Sequence, residues 1–410
     1  IIRVDQFSWT MPGFAWGNSY FFYQILVAFL FRNFGWVASV LFFGAVAALA
    51  ILILLPKKLN LWSMLVVFLG CALALANTGV RPHNMDLPFL SLLLVLVNEK
   101  VFRRKIFIPF WFVFFALWAN IHVGFVFGLM IFIAMIAMDF ALQSQRRKWS
   151  QIWVRATAIL VAFAGTFLTP FHYQIWKSIF FDSAGLVGWT NIAALQSTAI
   201  VAPYNIFLAL SCVIFIIMLL SKRAKIDFSW LMLASFVFLL AFFVVDFVYI
   251  WVIVFMFLGV RFFAKSIAFL PVHLDFKADY WARMSLFLPA FAAVLALVLN
   301  FFVNWLESGT AQSRLAKDNY PVEAVNFMTR NNVGENIFNE YACGGYIDWQ
   351  AAQLKVFIDG RMAGWKKADG KYILADYLAI LKGNCDLVER YQIKTALVES
   401  ARTPICFGNF

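Results

Sequence analysis

The sequence predicts a polytopic α-helical membrane protein that ends in a small α/β domain. Three observations lead there: apolar runs too long for ordinary soluble helices, a Lys and Arg excess confined to alternate loops, and a change of texture near residue 307. Ten runs can be counted, at roughly 34–55, 61–77, 85–98, 106–120, 123–141, 153–170, 204–221, 228–245, 247–264 and 284–305. A bilayer core of about 30 Å needs about 20 apolar residues in helical form, and shorter runs suffice where a helix is enclosed by others. Only 13% of residues are charged against 63% hydrophobic, a balance that excludes disordered and ordinary soluble classes.

Charge orients the runs. One set of loops holds seventeen basic residues: Lys57, Lys58, Lys100, Arg103, Arg104, Lys105, Arg146, Arg147, Lys148, Arg155, Lys222, Arg223, Lys225, Arg261, Lys265, Lys277 and Arg283. The opposite set, with the N-terminal segment, holds four: Arg3, Arg32, Arg81 and Lys177. Lys and Arg accumulate in short cytoplasmic loops, so the first set is assigned to the cytosol. Ten spans then place both visible ends outside. Because the residues after Ile1 already read as an external loop, an eleventh span is expected upstream. The net charge of +12 is topological, since residues 1–306 carry 21 basic and 9 acidic side chains and residues 307–410 carry 12 of each. It is not a nucleic-acid footprint, and the expected surroundings are membrane lipids.

Residues 1–306 thus read as a transmembrane domain whose first 33 residues form an external loop. Within that loop Asp5 lies ahead of a Pro12-Gly13 turn, and 18–33 (NSYFFYQILVAFLFRN) is expected as an amphipathic helix in the interface. The next external loop gathers Arg81, His83 and Asp86 within six residues. The third is the tight turn Asn120-Ile121-His122-Val123-Gly124. A longer loop over 171–203 carries His172, Lys177, Asp182 and Trp189, and Asp246 sits in the last tight turn. Each has a plainer role open to it. Arg81 can snorkel to head groups, Asp86 can cap the following helix, and His122 can satisfy a carbonyl. Ionisable groups at membrane depth are costly and skew toward function.

Residues 307–410 read as an extracytoplasmic domain, with helices over 321–331 and 371–382 and strands over 336–339, 355–358 and 394–399. Gly344 and Gly345, between Tyr341 and Tyr346, suggest a close backbone approach. Phe357-Ile358-Asp359-Gly360-Arg361 ends a strand in an acid, a turn and a base. Either Asp359 and Arg361 close the turn on each other, or they face a charged substrate. Cys71 and Cys212 fall inside spans. Cys343, Cys385 and Cys406 lie in the domain on the oxidising side, where one disulfide, Cys385 with Cys406, is open to form. The histidines have no H-E-x-x-H spacing, and no Walker, G-x-G-x-x-G or G-x-S-x-G loop occurs, which removes the usual markers of zinc hydrolysis, nucleotide-driven transport and serine hydrolysis.

The runs VDQFSWTMPGFAWGNSYFFYQILVAFLF, GVRPHNMDLPFLSLLL, ALWANIHVGFVFGL and FLTPFHYQIW, with NIFNEYACGGYIDW and KVFIDGR in the tail, resemble bacterial membrane proteins of the GT-C glycosyltransferase superfamily. More distantly, the tail resembles the start of the soluble domain of oligosaccharyltransferase catalytic subunits. The resemblance implies an essential acid in the first external loop, the place of Asp5, followed by an amphipathic helix and a second acidic position for which Asp86 is the nearest match. It also implies a polyprenyl-phosphate sugar as donor. Where oligosaccharyltransferases carry W-W-D before Tyr-Gly, this chain has Tyr341, Ala342 and Cys343, so the residues that grip an Asn acceptor are missing and the acceptor stays open.

The expectation is therefore glycosyl transfer at the outer face. Asp5 would be the catalytic base, and Arg81, His83, Asp86, His122, Asp359 and Arg361 would surround the lipid phosphate. A divalent ion, Mg or Mn, bridging Asp5 and Asp86 is open. Two rivals from other classes are a transporter or flippase of lipid-linked glycans, which calls for inverted repeats, and a catalytically silent scaffold of an envelope complex.

Overall fold

A computed structural model describes residues 2–55, 66–67, 70, 79–142, 149–181, 204–220, 226–263, 320–399 and 404–407. The chain divides into two compact units. One, here the helical unit, is formed by Ser19–His172 and Ala193–Ala292. The other, the mixed unit, is formed by Ile1–Asn18, Tyr173–Ile192 and Ala293–Phe410. A single cut at residue 306 does not reproduce this division, because the first eighteen residues cluster with the C-terminal ones.

In the helical unit the apolar runs become helices, Asp86–Asn98, Ile108–Ala119, Phe125–Leu142, Trp149–Gly165, Tyr204–Leu220 and Phe228–Phe243 within about five residues of their expected bounds, whereas Phe21–Leu54 starts 13 residues before the run 34–55 and Val248–Leu258 ends six short of 264. The expected runs 61–77 and 284–305 lie largely or wholly outside the described residues. Among the described residues three helices are long and apolar enough to cross a membrane, Phe21–Leu54, Phe125–Leu142 and Val245–Phe262, with shorter apolar ones at Lys105–Ala119 and Phe228–Phe243. That corrects the count of ten spans. Asp86–Asn98 has 13 residues, about 20 Å at 1.5 Å per residue, which is short of a bilayer core of about 30 Å. The run 106–120 is likewise trimmed, by a 3₁₀ turn at Lys105–Phe107 and by the Asn120 turn.

The first helix is broken at Gly35, whose φ of 77° and ψ of −173° are not helical. The break falls where the sequence separates the interfacial segment 18–33 from the run 34–55. Small side chains allow close packing elsewhere: Ala158 and Ala162 of the 149–165 helix are fully buried, as expected where backbones approach closely.

The two sets of loops gather at different places in this unit. Arg103 and Arg155 both pair with Asp139, the latter at 2.8 Å, with Lys100 at 3.9 Å, and Arg261 lies 3.9 Å from Glu99. These four cations come from loops that the sequence assigns to one face. Residues of the other set of loops meet around Asp86.

The mixed unit holds helices Val322–Arg330, Tyr341–Gln350, Ile373–Leu381 and Asp386–Arg390 and two parallel strands, β1 (Ile337–Asn339) and β2 (Thr395–Leu397). Parallel strands need a long crossover, and the intervening helices supply it. The expected strand over 355–358 is reduced to one bridge, Ser8 to Val356. On one side Val356 pairs through backbone with Phe7 and Trp9. On the other, the Asn339 carboxamide stands in for a ladder, accepting from the Phe357 amide at 2.8 Å and donating to the Ile358 carbonyl at 2.8 Å. The core is Phe338, Phe357, Ile358, Met362, Trp365 and Ile373, and Met11 of the N-terminal segment joins it. A disulfide links Cys385 to Cys406.

Candidate functional site

The helical unit builds its polar site from three turns. The 3₁₀ turn Pro82–Met85 delivers Asp86 to the first turn of its helix, yet the carboxylate caps nothing there. It is 1% exposed and accepts three hydrogen bonds: from Trp118 Nε1 to Oδ1 at 2.6 Å, from the Tyr249 hydroxyl to Oδ2 at 2.9 Å, and at Oδ2 from His122 Nδ1. A buried carboxylate requires such partners. Trp118 ends the 108–119 helix and His122 follows in the turn after it, so one helix end supplies two of the three donors.

Gly124 makes the approach possible. A Cβ on it would lie 2.1 Å from Asp86 Oδ2, so this turn admits only glycine while the carboxylate keeps its place. The Gly124 amide is 3.2 Å from His122 Nδ1. Around this centre the His83 ring stacks on Tyr249 at 5.3 Å, and the Tyr20 ring lies 5.4 Å from His122. Asp246, in the 3₁₀ turn Val245–Phe247, lies within electrostatic reach of Arg81 and of the His122 ring. Arg81 itself is exposed and forms no salt bridge among the described residues. An apolar groove of about 350 Å³ lies in the same unit, lined by Phe22, Val113, Leu117, Leu168 and Pro170 and by Asn120, two residues from His122.

The mixed unit holds the other expected residues. Asp359 is 1% exposed and receives Arg361 twice on Oδ1, from its amide at 2.7 Å and its Nε at 2.9 Å, with Nη2 on Oδ2. Arg361 Nη2 also lies 3.1 Å from Asp5 and 3.6 Å from Asp348. Its guanidinium is flanked by Phe7, Trp16 and Trp365 at 4.9, 5.2 and 5.6 Å. Asp5 turns the N-terminal segment, accepting from the Phe7 amide at 3.3 Å, the Ser8 amide at 2.9 Å and the Ser8 hydroxyl at 2.6 Å. Burial, then the negative charge of Asp359, pushes the Asp348 carboxyl up to about 8, while Arg361 draws it down. The Tyr341–Gln350 helix can bring Asp348 this close because Gly344 lacks a Cβ, which would lie 2.3 Å from the Ile358 carbonyl oxygen.

Arg81, His83, Asp86 and His122 thus fall in one unit, and Asp5, Asp359 and Arg361 in the other. Asp359 and Arg361 close on each other, which is the turn alternative read from KVFIDGR. Asp5, expected as the base, has both oxygens engaged, Oδ1 by the Phe7 amide and Arg361 and Oδ2 by Ser8. No group of three His, Cys, Asp or Glu side chains that could hold a metal ion occurs among the described residues. His172 is exposed, with φ of 48°, and Asp182 and Trp189 lie outside the described residues. Sequence reasoning passed over Trp118, Tyr249 and Asp348. The first two are polar-tipped aromatics inside apolar runs; the available signals were the four-residue step from Trp118 to His122 and the three-residue step from Asp246 to Tyr249.

Compared with family models, curated proteins and solved structures, the chain matches none. What the fold establishes is a largely helical chain with, among the described residues, three helices long and apolar enough to cross a membrane.

Proposed function

We propose that the chain is a membrane glycosyltransferase that moves a sugar from a polyprenyl-phosphate donor to a hydroxyl acceptor at the non-cytosolic face. The observation that carries this reading is the gathering of Arg81, His83, Asp86, His122 and Asp246 in one unit with an apolar groove whose lining includes Asn120 of the same turn as His122. A donor of this class has the same two parts, an apolar chain and a phosphate. The prenyl chain occupies the groove, and the exposed guanidinium of Arg81 takes the phosphate. The resemblance to GT-C enzymes agrees with that division of labour, and the Cys385–Cys406 disulfide agrees with a C-terminal domain outside the reducing cytosol of a bacterial inner membrane.

Asp5, Asp359 and Arg361 are structural in this proposal. They fix the N-terminal segment to the mixed unit, and the phosphate is left to Arg81. The test is the affinity of decaprenyl phosphate for the full chain in nanodiscs, followed by tryptophan fluorescence. Arg81→Ala should weaken binding roughly tenfold to a hundredfold, the effect of losing one charge-assisted contact, with no loss of helical circular dichroism. Unchanged affinity returns Arg81 to a snorkelling role, and failure of the wild-type chain to bind removes the lipid-phosphate reading. Transport of the lipid without transfer would favour a flippase.

A further inference from the structure

We infer that His122, oriented by Asp86, is the general base of the helical unit, and that its Nε2 faces the acceptor hydroxyl. The inference rests on the lipid-phosphate reading above. The geometry points to it in three steps. Two groups compete for His122 Nδ1, the Gly124 amide at 3.2 Å and the shorter contact to Asp86 Oδ2; a carboxylate has no proton to give and its charge-assisted bond is the stronger, so the proton sits on Nδ1 and the Gly124 contact is given up. In the neutral ring the lone pair then lies on Nε2, and among the described residues Nε2 has no hydrogen-bond partner.

The second step is rigidity. Asp86 is held at both oxygens by Trp118 and Tyr249, and Gly124 leaves it no room to swing. An acid held this way fixes the tautomer and direction of its histidine and compensates the charge that develops on the ring. A histidine that only filled a turn would not need two further donors and a glycine to seat its partner. The third step is exposure. Asp86 is 1% exposed, whereas the His122 side chain is 12% exposed and lies close enough to Asp246, which also feels Arg81, to share its field. Arg81 and Asp86 stand at the two ends of the short Pro82–Met85 turn, which sets the phosphate cation one turn away from the acid that holds the base.

The step balances as follows. The acceptor O–H gives its proton to Nε2 as its oxygen forms a bond to the anomeric carbon of the sugar. The bond from that carbon to the phosphate oxygen breaks, and the electron pair leaves with the phosphate, which Arg81 receives. The imidazolium, paired with Asp86, then returns its proton to water.

The experiment uses the full chain in nanodiscs, decaprenyl phosphate as probe, and diethyl pyrocarbonate, which acylates a ring nitrogen carrying a free lone pair. Mass spectrometry reads the label on each of the four histidines. His122 should be labelled in the wild type, and decaprenyl phosphate at ten times its dissociation constant should slow this about tenfold by occupancy. Asp86→Asn, which no longer holds the ring in one tautomer, should slow labelling by about tenfold or more while the lipid still binds. Histidine ring nitrogen shifts of the wild-type protein give a reading free of any folding defect in that variant: Nδ1 should carry the proton and Nε2 none. A chain that does not bind the lipid sinks the lipid-phosphate reading. If the lipid binds but His122 is unprotected, indifferent to Asp86→Asn in a folded variant, or protonated on Nε2 in its neutral form, the base assignment is wrong and the reading survives.

Discussion

At the scale of single residues, two of the buried aspartates, one in each unit, differ in what they hold. Asp86 holds a histidine, the base inferred above, whereas Asp5 holds backbone amides, a hydroxyl and Arg361. Asp5→Asn should therefore act on structure. Losing the charge-assisted contacts should cost roughly 1–3 kcal/mol, seen as faster hydrogen exchange over residues 5–14, with decaprenyl phosphate affinity unchanged. A loss of lipid binding without faster exchange would restore a direct role for Asp5. Asp348 gives a pH prediction. Its folded carboxyl is raised from 3.8 to about 8, so between those values the folded chain keeps a proton that the unfolded chain has released. Stability should fall as pH rises across that window, and Asp348→Asn should flatten the fall. Hydrogen exchange of the 341–350 helix between pH 5 and pH 9 would read it; equal slopes in the two proteins would contradict the raised carboxyl. Much at this scale was legible in the sequence, since His83, Asp86 and His122 stand out as ionisable groups in short loops. Their pairing was not, because Asp86 and His122 are 36 residues apart and nothing local states that Trp118 and Tyr249 turn their polar tips inward.

At the scale of elements, helices were legible and strands less so. Apolar runs of 12 or more residues fix helix positions whatever they pack against, which is why Asp86–Asn98, Ile108–Ala119 and Phe125–Leu142 fall within a few residues of their expected bounds. The segment 355–358 depends on a partner nearly 350 positions away, and a side chain, Asn339, replaces the ladder on its other edge. The helix over Tyr341–Gln350 was obscured by Gly344 and Gly345, whose low helix propensity is outweighed here by the close approach to Ile358. The short elements at the C-terminal end are stapled by Cys385–Cys406, which are 21 residues apart. A cross-link closing a loop of that size contributes about 3 kcal/mol by chain entropy. Cys385→Ser should lower the unfolding midpoint of the mixed unit accordingly, and the wild type under reductant should match it. No change in either would mean that the bond is not formed in the native protein.

At the scale of the whole molecule, the sequence argued sidedness from seventeen basic residues against four, and the coordinates add a second, independent regularity. Lys100 and Arg103 come from one loop of the basic set and Arg155 from another, yet all three meet Asp139, and Arg261 of a third lies by Glu99, next to Lys100 in sequence. Of the other set, Asp86 and His122 come from two different loops and pair directly, and Tyr249, three residues after Asp246 of a third, donates to Asp86 and stacks on His83. A chain whose loops had been assigned to faces at random would mix the two groups. The positive-inside rule then says which group faces the cytosol, and the assignment has a direct test. In spheroplasts, a membrane-impermeant maleimide added from outside should label Arg81→Cys and Glu335→Cys, the second an exposed site in the mixed unit, and should spare Lys105→Cys until the membrane is permeabilised. Peptide mass spectrometry separates these sites from the native cysteines. Labelling of Lys105→Cys from outside, with Arg81→Cys protected, would invert the protein and place Asp86 and His122 where a sugar donor on the outer leaflet cannot reach them.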